Sequence, residues 1–367
     1  MMIVLFVILG LYFFAILLLV YGFHQLENQE NSNLTPKIAF TIIVPFREEN
    51  ENLPLLLASI AKMKYPLDLV TLLLVDDGSS EKFKIPFDTL QVSIINNIRV
   101  SNSPKKDAIS TAIPHVKTDW IITTDADCIV NENWLLTLNN YIQTRDVAMI
   151  AGAVNYEGNG SFLHHFQQLD FASLQGATMG SFGIGKGFMC NGANFAYTKS
   201  LFEDLNGFDG NNMIASGDDV FLLQKAIAKC PEKVHYLKSK NTIVTTQPLN
   251  DWKSLFYQRV RWASKTSSYQ SNFGKALGLL VFAGNLCWLI CFGLTIIGAL
   301  SIQMMLLIFS IKFLVDTLLI YPTNQFLTKN KLRYLLLSSL LYSFFSTCVA
   351  VYSQVGKYEW KGRKFRL

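Results

Sequence analysis

Residues 1–23 contain no charged side chain, and the stretches 276–311 and 334–355 are likewise uncharged and mostly apolar. A helix that crosses a bilayer needs about 20 apolar residues, so each of these stretches can span a membrane. Core helices of soluble domains rarely stay uncharged for so long. The composition agrees: half of the residues are hydrophobic, only 16% are charged, and the mean hydropathy is +0.27, which is high for a soluble globular chain. Between residues 37 and 265 the composition turns ordinary and suffices for one sizeable domain. The expected layout is an N-terminal anchor (1–24), a domain over 37–265 that closes with an interfacial helix, a C-terminal membrane region (276–355) and a basic tail (356–367).

The first apolar run has no basic residue ahead of it and no small-x-small site before Gln25, so an uncleaved anchor is expected rather than a signal peptide. Cys128, Cys190, Cys230, Cys287, Cys291 and Cys348 are scattered. They show neither a disulfide framework nor zinc spacing, which favours a reducing compartment for the domain. The net charge of +5 is carried partly by Lys357, Lys361, Arg363, Lys364 and Arg366. Beside apolar spans such a tail is expected to meet anionic lipid rather than nucleic acid. These features predict an integral membrane protein, of a bacterial inner membrane, with its domain in the cytoplasm.

The run 39–44, which ends at Pro45, reads as a buried strand. Leucines at helical spacing predict a helix over 48–64. A second strand, 70–75, is closed by Asp76-Asp77-Gly78-Ser79. Strands are also expected at 92–95 and 120–124, with a helix over 107–113 between them. Strands alternating with helices imply an α/β domain with a mostly parallel sheet covered on both faces. In such sheets ligands bind beyond the carboxyl ends of the strands, and two acidic clusters, Asp76-Asp77 and Asp125-Ala126-Asp127, follow strands there.

Each cluster has a plain reading beside a chemical one. Asp125 and Asp127 are hard oxygen ligands suited to Mg²⁺ or Mn²⁺ together with substrate phosphates, or they form a solvated turn. Asp-Gly at 77–78 is also an ordinary turn signal. Lys105 and Lys106 open a helix whose N-terminus can face phosphate, or they mark an exposed basic turn. Gly185-Lys186-Gly187 and Cys190-Asn191-Gly192-Ala193-Asn194 bracket a stretch whose backbone can approach a ligand closely. Asn191, Gly192 and Asn194 are therefore candidates for contacting acceptor or diphosphate. No phosphate-binding P-loop pattern is present. Asp218 and Asp219 precede the apolar helical run 220–228, where Asp218 can cap the helix while its neighbour does chemistry. Gln258, Arg261 and Trp262 stand at i, i+3 and i+4 and share a helix face. Arg261 can neutralise a diphosphate and Trp262 can stack on a sugar, or the helix is an aromatic-anchored interfacial one. His164 and His165, adjacent in sequence, point to different faces and are not expected to ligate a metal.

Taken in order, Thr41-Ile-Ile-Val-Pro45-Phe-Arg47-Glu48-Glu49-Asn50, Asp76-Asp77-Gly78-Ser79, Lys105-Lys106, Asp125-Ala-Asp127, Gly217-Asp218-Asp219 and Gln258-Arg-Val-Arg261-Trp262 resemble the motifs of the family-2 inverting glycosyltransferases over residues 38–265. The resemblance implies a GT-A nucleotide-binding fold and a donor that is a nucleotide-diphospho-sugar, a UDP-sugar in the first instance. It places Pro45, Arg47, Glu49, Asp76, Asp77, Lys105, Lys106 and Asp125 with the donor, and Asp125 and Asp127 on the metal. It makes Asp219 the catalytic base and Gln258, Arg261 and Trp262 the QxxRW motif that closes over diphosphate and acceptor, with Asp218 beside it. The Asp-Asp pair departs from the commoner Glu-Asp, which weakens only the role of Asp218. The layout resembles the ceramide glucosyltransferase-like branch and the short bacterial polysaccharide synthases, and Trp360-Lys-Gly362-Arg363 is similar to the Trp-x-Gly-Arg tails of the first.

A lipid acceptor at the membrane and transfer of one or a few sugars with inversion are expected. The alternatives are a processive polysaccharide synthase, a metal-dependent phosphohydrolase or nucleotidyltransferase, and an inactive scaffold. Homo-oligomer formation stays open. With a cytoplasmic domain, three full C-terminal spans leave the basic tail outside, against the positive-inside rule. One C-terminal segment is therefore expected to be re-entrant or interfacial. Lys312 and Asp316 must pair or face protein.

Overall fold

In the computed structural model the described residues are 2–29, 34–86, 90–158, 160–212, 214–329, 331–360 and 363–366. Lys361 and Gly362 of the tail motif lie outside them. In chain order the elements are α1 (Met2–Gln25), β1 (Phe40–Phe46), α2 (Leu53–Ala61), β2 (Val70–Asp76), β3 (Gln91–Asn96), α3 (Pro104–Ala112), β4 (Trp120–Thr123), β5 (Cys128–Ile129), α4 (Trp134–Thr144), β6 (Met149–Gly152), β7 (Val154–Tyr156) and α5 (Phe162–Gly183). Then come β8 (Phe195–Thr198), α6 (Lys199–Asp204), α7 (Asp218–Lys229), β9 (Val234–Leu237), β10 (Val244–Thr246), α8 (Trp252–Ala263), α9 (Asn272–Ile296), α10 (Ile302–Leu327), α11 (Leu335–Val355), β11 (Lys357–Trp360) and β12 (Arg363–Arg366). By packing, the chain divides into two compact units. One is Glu27–Glu157 with Met189–Gln247; the other is Met1–Leu26, Gly158–Phe188 and Pro248–Leu367.

The first of these is the α/β unit. Its main sheet has the order β3-β2-β1-β4-β8-β6-β9. The pairs β1–β2, β1–β4, β2–β3 and β6–β9 are parallel, whereas β8 runs antiparallel to β4 and β6. The mostly parallel α/β expectation therefore holds. All four residues of β4 and all of β1 except Pro45 are buried, as strands covered on both faces must be. Pro45 is tolerated in a central strand for a local reason. β1 pairs with β4 only as far as Ile43 and Thr123, and the Thr124 N–H goes to the Ile43 carbonyl. Two residues on, the missing N–H of Pro45 falls where β4 has already left the sheet. The strand order reverses between β1 and β4, so their carboxyl ends form a crevice of the kind that holds ligands. A smaller sheet, β5-β10-β7, takes up the chain after β4.

Two helix starts differ from the sequence expectation. Glu48 has a left-handed φ of 54° and the Asn52 and Leu53 N–H groups both bond the Glu49 carbonyl, so α2 begins at Leu53 with Pro54 in its first turn. There proline costs no hydrogen bond. The same rule starts α3 at Pro104, ahead of 107.

The other unit is helical. Among the described residues four helices, α1, α9, α10 and α11, are long and apolar enough to cross a membrane. The uncharged run 276–311 is broken near Gly298, which has a φ of 75°. α5 packs against α1, α10 and α11, so 158–188 groups with the apolar helices. α1 and α5 touch backbone to backbone: a Cβ on Gly22 would lie 2.0 Å from the Gly180 carbonyl oxygen, and one on Gly183 would lie 1.8 Å from that of Gly22. Only glycine permits such an approach, as at small-residue crossings in membranes. Lys312 and Asp316 pair at 2.7 Å, and the Tyr12 hydroxyl donates to Asp316 at 2.6 Å, which meets the requirement that these charges be paired.

Candidate active site

The site grows from the carboxyl ends of β1, β2 and β4. Beyond β4 the chain turns through Asp125-Ala126-Asp127 into β5, and the Cys128 N–H closes the turn on the Asp125 carbonyl at 3.2 Å. Because β5 is pinned to β10, the turn is held at both ends and presents its two half-buried carboxylates at the sheet edge. The adjacent Cys128 thiol is buried. Burial, then the charges of Asp127 and Asp125, push its pKa well up, so it is no nucleophile.

Lys105, in the first turn of α3, reaches this edge. Its Nζ lies 2.5 Å from Asp125 Oδ1 and 3.4 Å from Asp218 Oδ2. Burial works against the ammonium, but the carboxylates of Asp125, Asp218 and Asp219 outweigh it and raise its pKa above the ordinary lysine range. It remains a fixed positive charge.

Asp218 and Asp219 open α7. The helix N-cap is Gly217, with a φ of 85° and no side-chain capping bond. The capping role considered for Asp218 therefore does not apply, and both carboxylates sit in the first turn, where the helix dipole favours them. Asp219 Oδ2 accepts the Gly192 N–H at 2.9 Å and Oδ1 accepts the Val220 N–H at 2.7 Å. Gly192 is wedged against the cluster. A Cβ there would meet Asp218 Oδ2 at 3.0 Å, Lys105 Nζ at 3.1 Å and Asp219 Cβ at 3.4 Å, and its carbonyl accepts from buried Thr123 Oγ1 at 3.0 Å. The fold thus brings together Lys105, Asp125, Gly192, Asp218 and Asp219 from four separate stretches of sequence. Asn191 accepts the Ala193 N–H at 2.9 Å and shapes the same loop.

Other expected residues make contacts within the fold or lie beside the strand ends. Lys106 is buried and donates to the carbonyls of Asn211 and Ile214 at 2.7 and 3.0 Å, which ties down the loop leading into Asp218. Asn194 is buried. It donates to the Ala153 and Thr242 carbonyls, both at 2.7 Å, and accepts from Trp134 Nε1 at 3.1 Å, so its amide braces the interior. Glu49 accepts from Asn52 Nδ2 at 2.6 Å and organises the start of α2. Arg47 follows β1 half-buried. Asp76 accepts from the Ser79 N–H and hydroxyl at 2.8 and 2.7 Å. Asp77 accepts from Asn97 at 2.7 Å and pairs with Arg99 at 3.5 Å.

Gln258, Arg261 and Trp262 lie on α8, in the helical unit, within one unbroken helix as their spacing predicts. Their neighbour Arg259 was not singled out by the sequence reading. It is buried, forms an ion pair with buried Asp170 of α5, and donates to Gln258 Oε1. Its guanidinium carbon lies 4.2 Å from the Trp262 ring centroid. A signal for Asp170 existed, because it is the only acidic residue between Glu157 and Glu203. Tyr197 was missed as well. Its phenol is buried, and burial followed by the Asp218 charge raises its pKa.

A divalent cation fits the donor set of the α/β unit. Asp125 and Asp127 supply hard oxygens, and the position of Lys105 shows that this edge already stabilises a cation. Among the described residues no three His, Cys, Asp or Glu side chains are grouped to hold an ion by themselves, and a two-carboxylate site is one that substrate phosphates complete.

The family model described as "Glycosyltransferase like family 2" matches residues 36–265. Glycosyltransferase GlyG of Streptococcus pneumoniae is 28% identical over 137 residues, 36% of this chain and 44% of that protein, so the chain spans less than half of that relative's length. Glycosyltransferase AglE of Haloferax volcanii is 21% identical over 66% of this chain and 80% of its own. Among solved structures, the mannosyltransferase PcManGT of Pyrobaculum calidifontis, determined with GDP-Man and Mn²⁺, superposes with a TM-score of 0.60 at 15% identity, covering 93% of this chain and 97% of its own.

Proposed function

The chain belongs to glycosyltransferase family 2 and has the GT-A fold, and from that premise we propose that it transfers one sugar, with inversion, from a nucleotide-diphospho-sugar to a lipid acceptor at a membrane. The observation that carries the reading is the cluster of Lys105, Asp125, Asp218 and Asp219 packed on Gly192 at the β1/β4 crevice. A divalent ion held by Asp125 and Asp127 would neutralise the diphosphate and make it a better leaving group.

In the proposed step an acceptor hydroxyl attacks the anomeric carbon, the bond from that carbon to the diphosphate oxygen breaks, and Asp219 takes the hydroxyl proton. The electron pair leaves with the nucleoside diphosphate. The backbone N–H groups of Gly192 and Val220 hold the Asp219 carboxylate in one orientation, and Lys105 supplies fixed positive charge beside it. The roles of Gln258, Arg261 and Trp262 in closing over substrate rest on the resemblance alone. The relative solved with GDP-Man and Mn²⁺ supports a nucleotide-sugar donor and a divalent ion, while the motif set favours UDP-sugars.

The test is a screen of UDP- and GDP-sugars with membranes containing the full chain, followed by mass analysis of the lipids. One or two sugars added to lipid is the expected product; a long water-soluble polymer formed without lipid primer would establish a processive synthase instead. Asp219→Asn should bind the donor with unchanged affinity and lose transfer, because a base acts in the chemical step. Weakened donor binding as its main effect would make Asp219 a binding residue.

A further inference from the structure

We propose that α11 does not cross the bilayer but lies along one leaflet, so that the chain crosses three times and its basic C-terminal hairpin meets anionic lipid headgroups on the side where α1 ends. The argument rests on contacts within the helical unit. Leu5 and Leu9 of α1 cluster with Cys287, Trp288 and Cys291 of α9 and with Met305 and Ile308 of α10. The start of α1, the end of α9 and the start of α10 therefore share one end of an up-and-down trio. The opposite end holds the end of α1, the start of α9 and the end of α10.

Helix α5 lies at this opposite end. Its Gly180 and Gly183 meet Gly22 of α1, its Gly176 meets Thr323 and Leu319 of α10, and Gln168 donates to Asn324 at 2.6 Å. The start of α8 is fastened to the start of α5: the Trp252 ring is 5.1 Å from that of Phe166, and Gln167 bonds the backbone of Leu249 on both sides. Both ends of α11 rest on these two helices. At its start, Tyr334 sits 5.6 Å from Phe162 and 5.7 Å from His165. Near its end, Tyr352 sits 5.4 Å from Phe256 and 6.3 Å from Tyr257, Val349 packs on Val260, and β11 packs against α8. Between them Phe345 touches Phe166 and Trp252. A spanning helix has its ends about 30 Å apart on opposite faces of the hydrocarbon core, which these contacts forbid. α11 also packs on α9 of the bundle, where Ser343 near its middle donates to Asn285 at 2.9 Å.

The faces of α11 agree. Leu337, Leu340, Phe344 and Val351 are exposed along one stripe, whereas Ser338, Ser343 and Ser353 are buried. Such faces suit a helix that meets acyl chains on one side and protein on the other, as a helix lying along one leaflet does over its whole length. Three crossings return the hairpin, with Lys357, Arg363, Lys364 and Arg366, to the side on which α1 ends. Basic residues there are attracted to anionic lipid and satisfy the positive-inside rule.

The test uses the full chain with its native cysteines replaced and single cysteines introduced as Gln29→Cys, Gly298→Cys or Lys364→Cys, in sealed vesicles of known orientation. An impermeant maleimide should label Lys364→Cys in the same vesicles as Gln29→Cys and in the opposite ones from Gly298→Cys. Labelling together with Gly298→Cys would overturn the proposal. Should the cysteine-free chain fail to fold, protease access to an epitope placed after Leu367 of the native chain reads the same two outcomes. A fluorophore on Lys364→Cys should be several-fold better shielded from iodide in phosphatidylglycerol vesicles than in phosphatidylcholine vesicles; equal quenching would refute the headgroup contact.

Discussion

Gly192→Ala probes the cluster without removing any charged group. The new methyl would stand 3.0 Å from Asp218 Oδ2 and 3.1 Å from Lys105 Nζ, where ordinary contact begins at 3.4 Å. The carboxylate and the ammonium must therefore retreat by about 0.3 to 0.4 Å, or the 190–194 loop must lift and lengthen the bond from Gly192 N–H to Asp219. Both neighbours are ends of side chains, so the stability cost falls at the low end for overpacking, about 1 kcal/mol. Catalysis is more sensitive to displacement, since a misplacement of about 1 Å can cost a factor of about 100. A shift of this size predicts a loss of about five-fold in turnover, or about 1 kcal/mol of barrier. The assay is release of nucleoside diphosphate under saturating donor, with thermal melting in detergent as the control. Wild-type turnover at a wild-type melting temperature would show that Gly192 is not wedged against working groups. An equal loss after Gly293→Ala, where a new Cβ meets nothing within 4 Å, would show that the effect is not specific to the cluster.

Three further outcomes are expected. Lys106→Met strips the Asn211 and Ile214 carbonyls of a charged donor and should cost about 2 kcal/mol, seen as a lower melting temperature; an unchanged melting curve would remove its role as the anchor of the chain ahead of Asp218. Asp170→Asn or Arg259→Met, each breaking a buried ion pair, should cost about 3 to 5 kcal/mol, while the apolar double variant Asp170→Leu with Arg259→Met should be less damaging than either single change; additive losses would argue against direct pairing. Asp127→Asn should abolish transfer in a protein that melts normally, and EDTA should do the same to the wild type; full activity of the variant in excess EDTA would exclude the metal role.

The α/β architecture was legible in local sequence because strands buried on both faces are uncharged and rich in β-branched residues, as 39–44 and 120–124 are. The ends of those strands were legible as well, since Asp76 and Asp125 follow directly once the apolar run stops. Periodicity also placed Gln258, Arg261 and Trp262 on one helix. The division of labour between adjacent residues was not legible. Lys105 and Lys106 are chemically identical in the sequence, but on α3 they point in different directions, one to Asp125 and the other to the carbonyls of Asn211 and Ile214. Asn191 and Asn194 part in the same way, one shaping the loop and the other buried as a brace. α5 escaped notice because its polar residues find partners only in the folded unit, as Asp170 does in Arg259 and Gln168 in Asn324. The end-to-end course of α11 was hidden too, because hydropathy measures how readily a helix enters lipid and carries no information on where its two ends rest. Composition and period are local properties and can be read along a chain, whereas the partner of a charge and the depth of a helix depend on contacts between distant segments that exist only after folding.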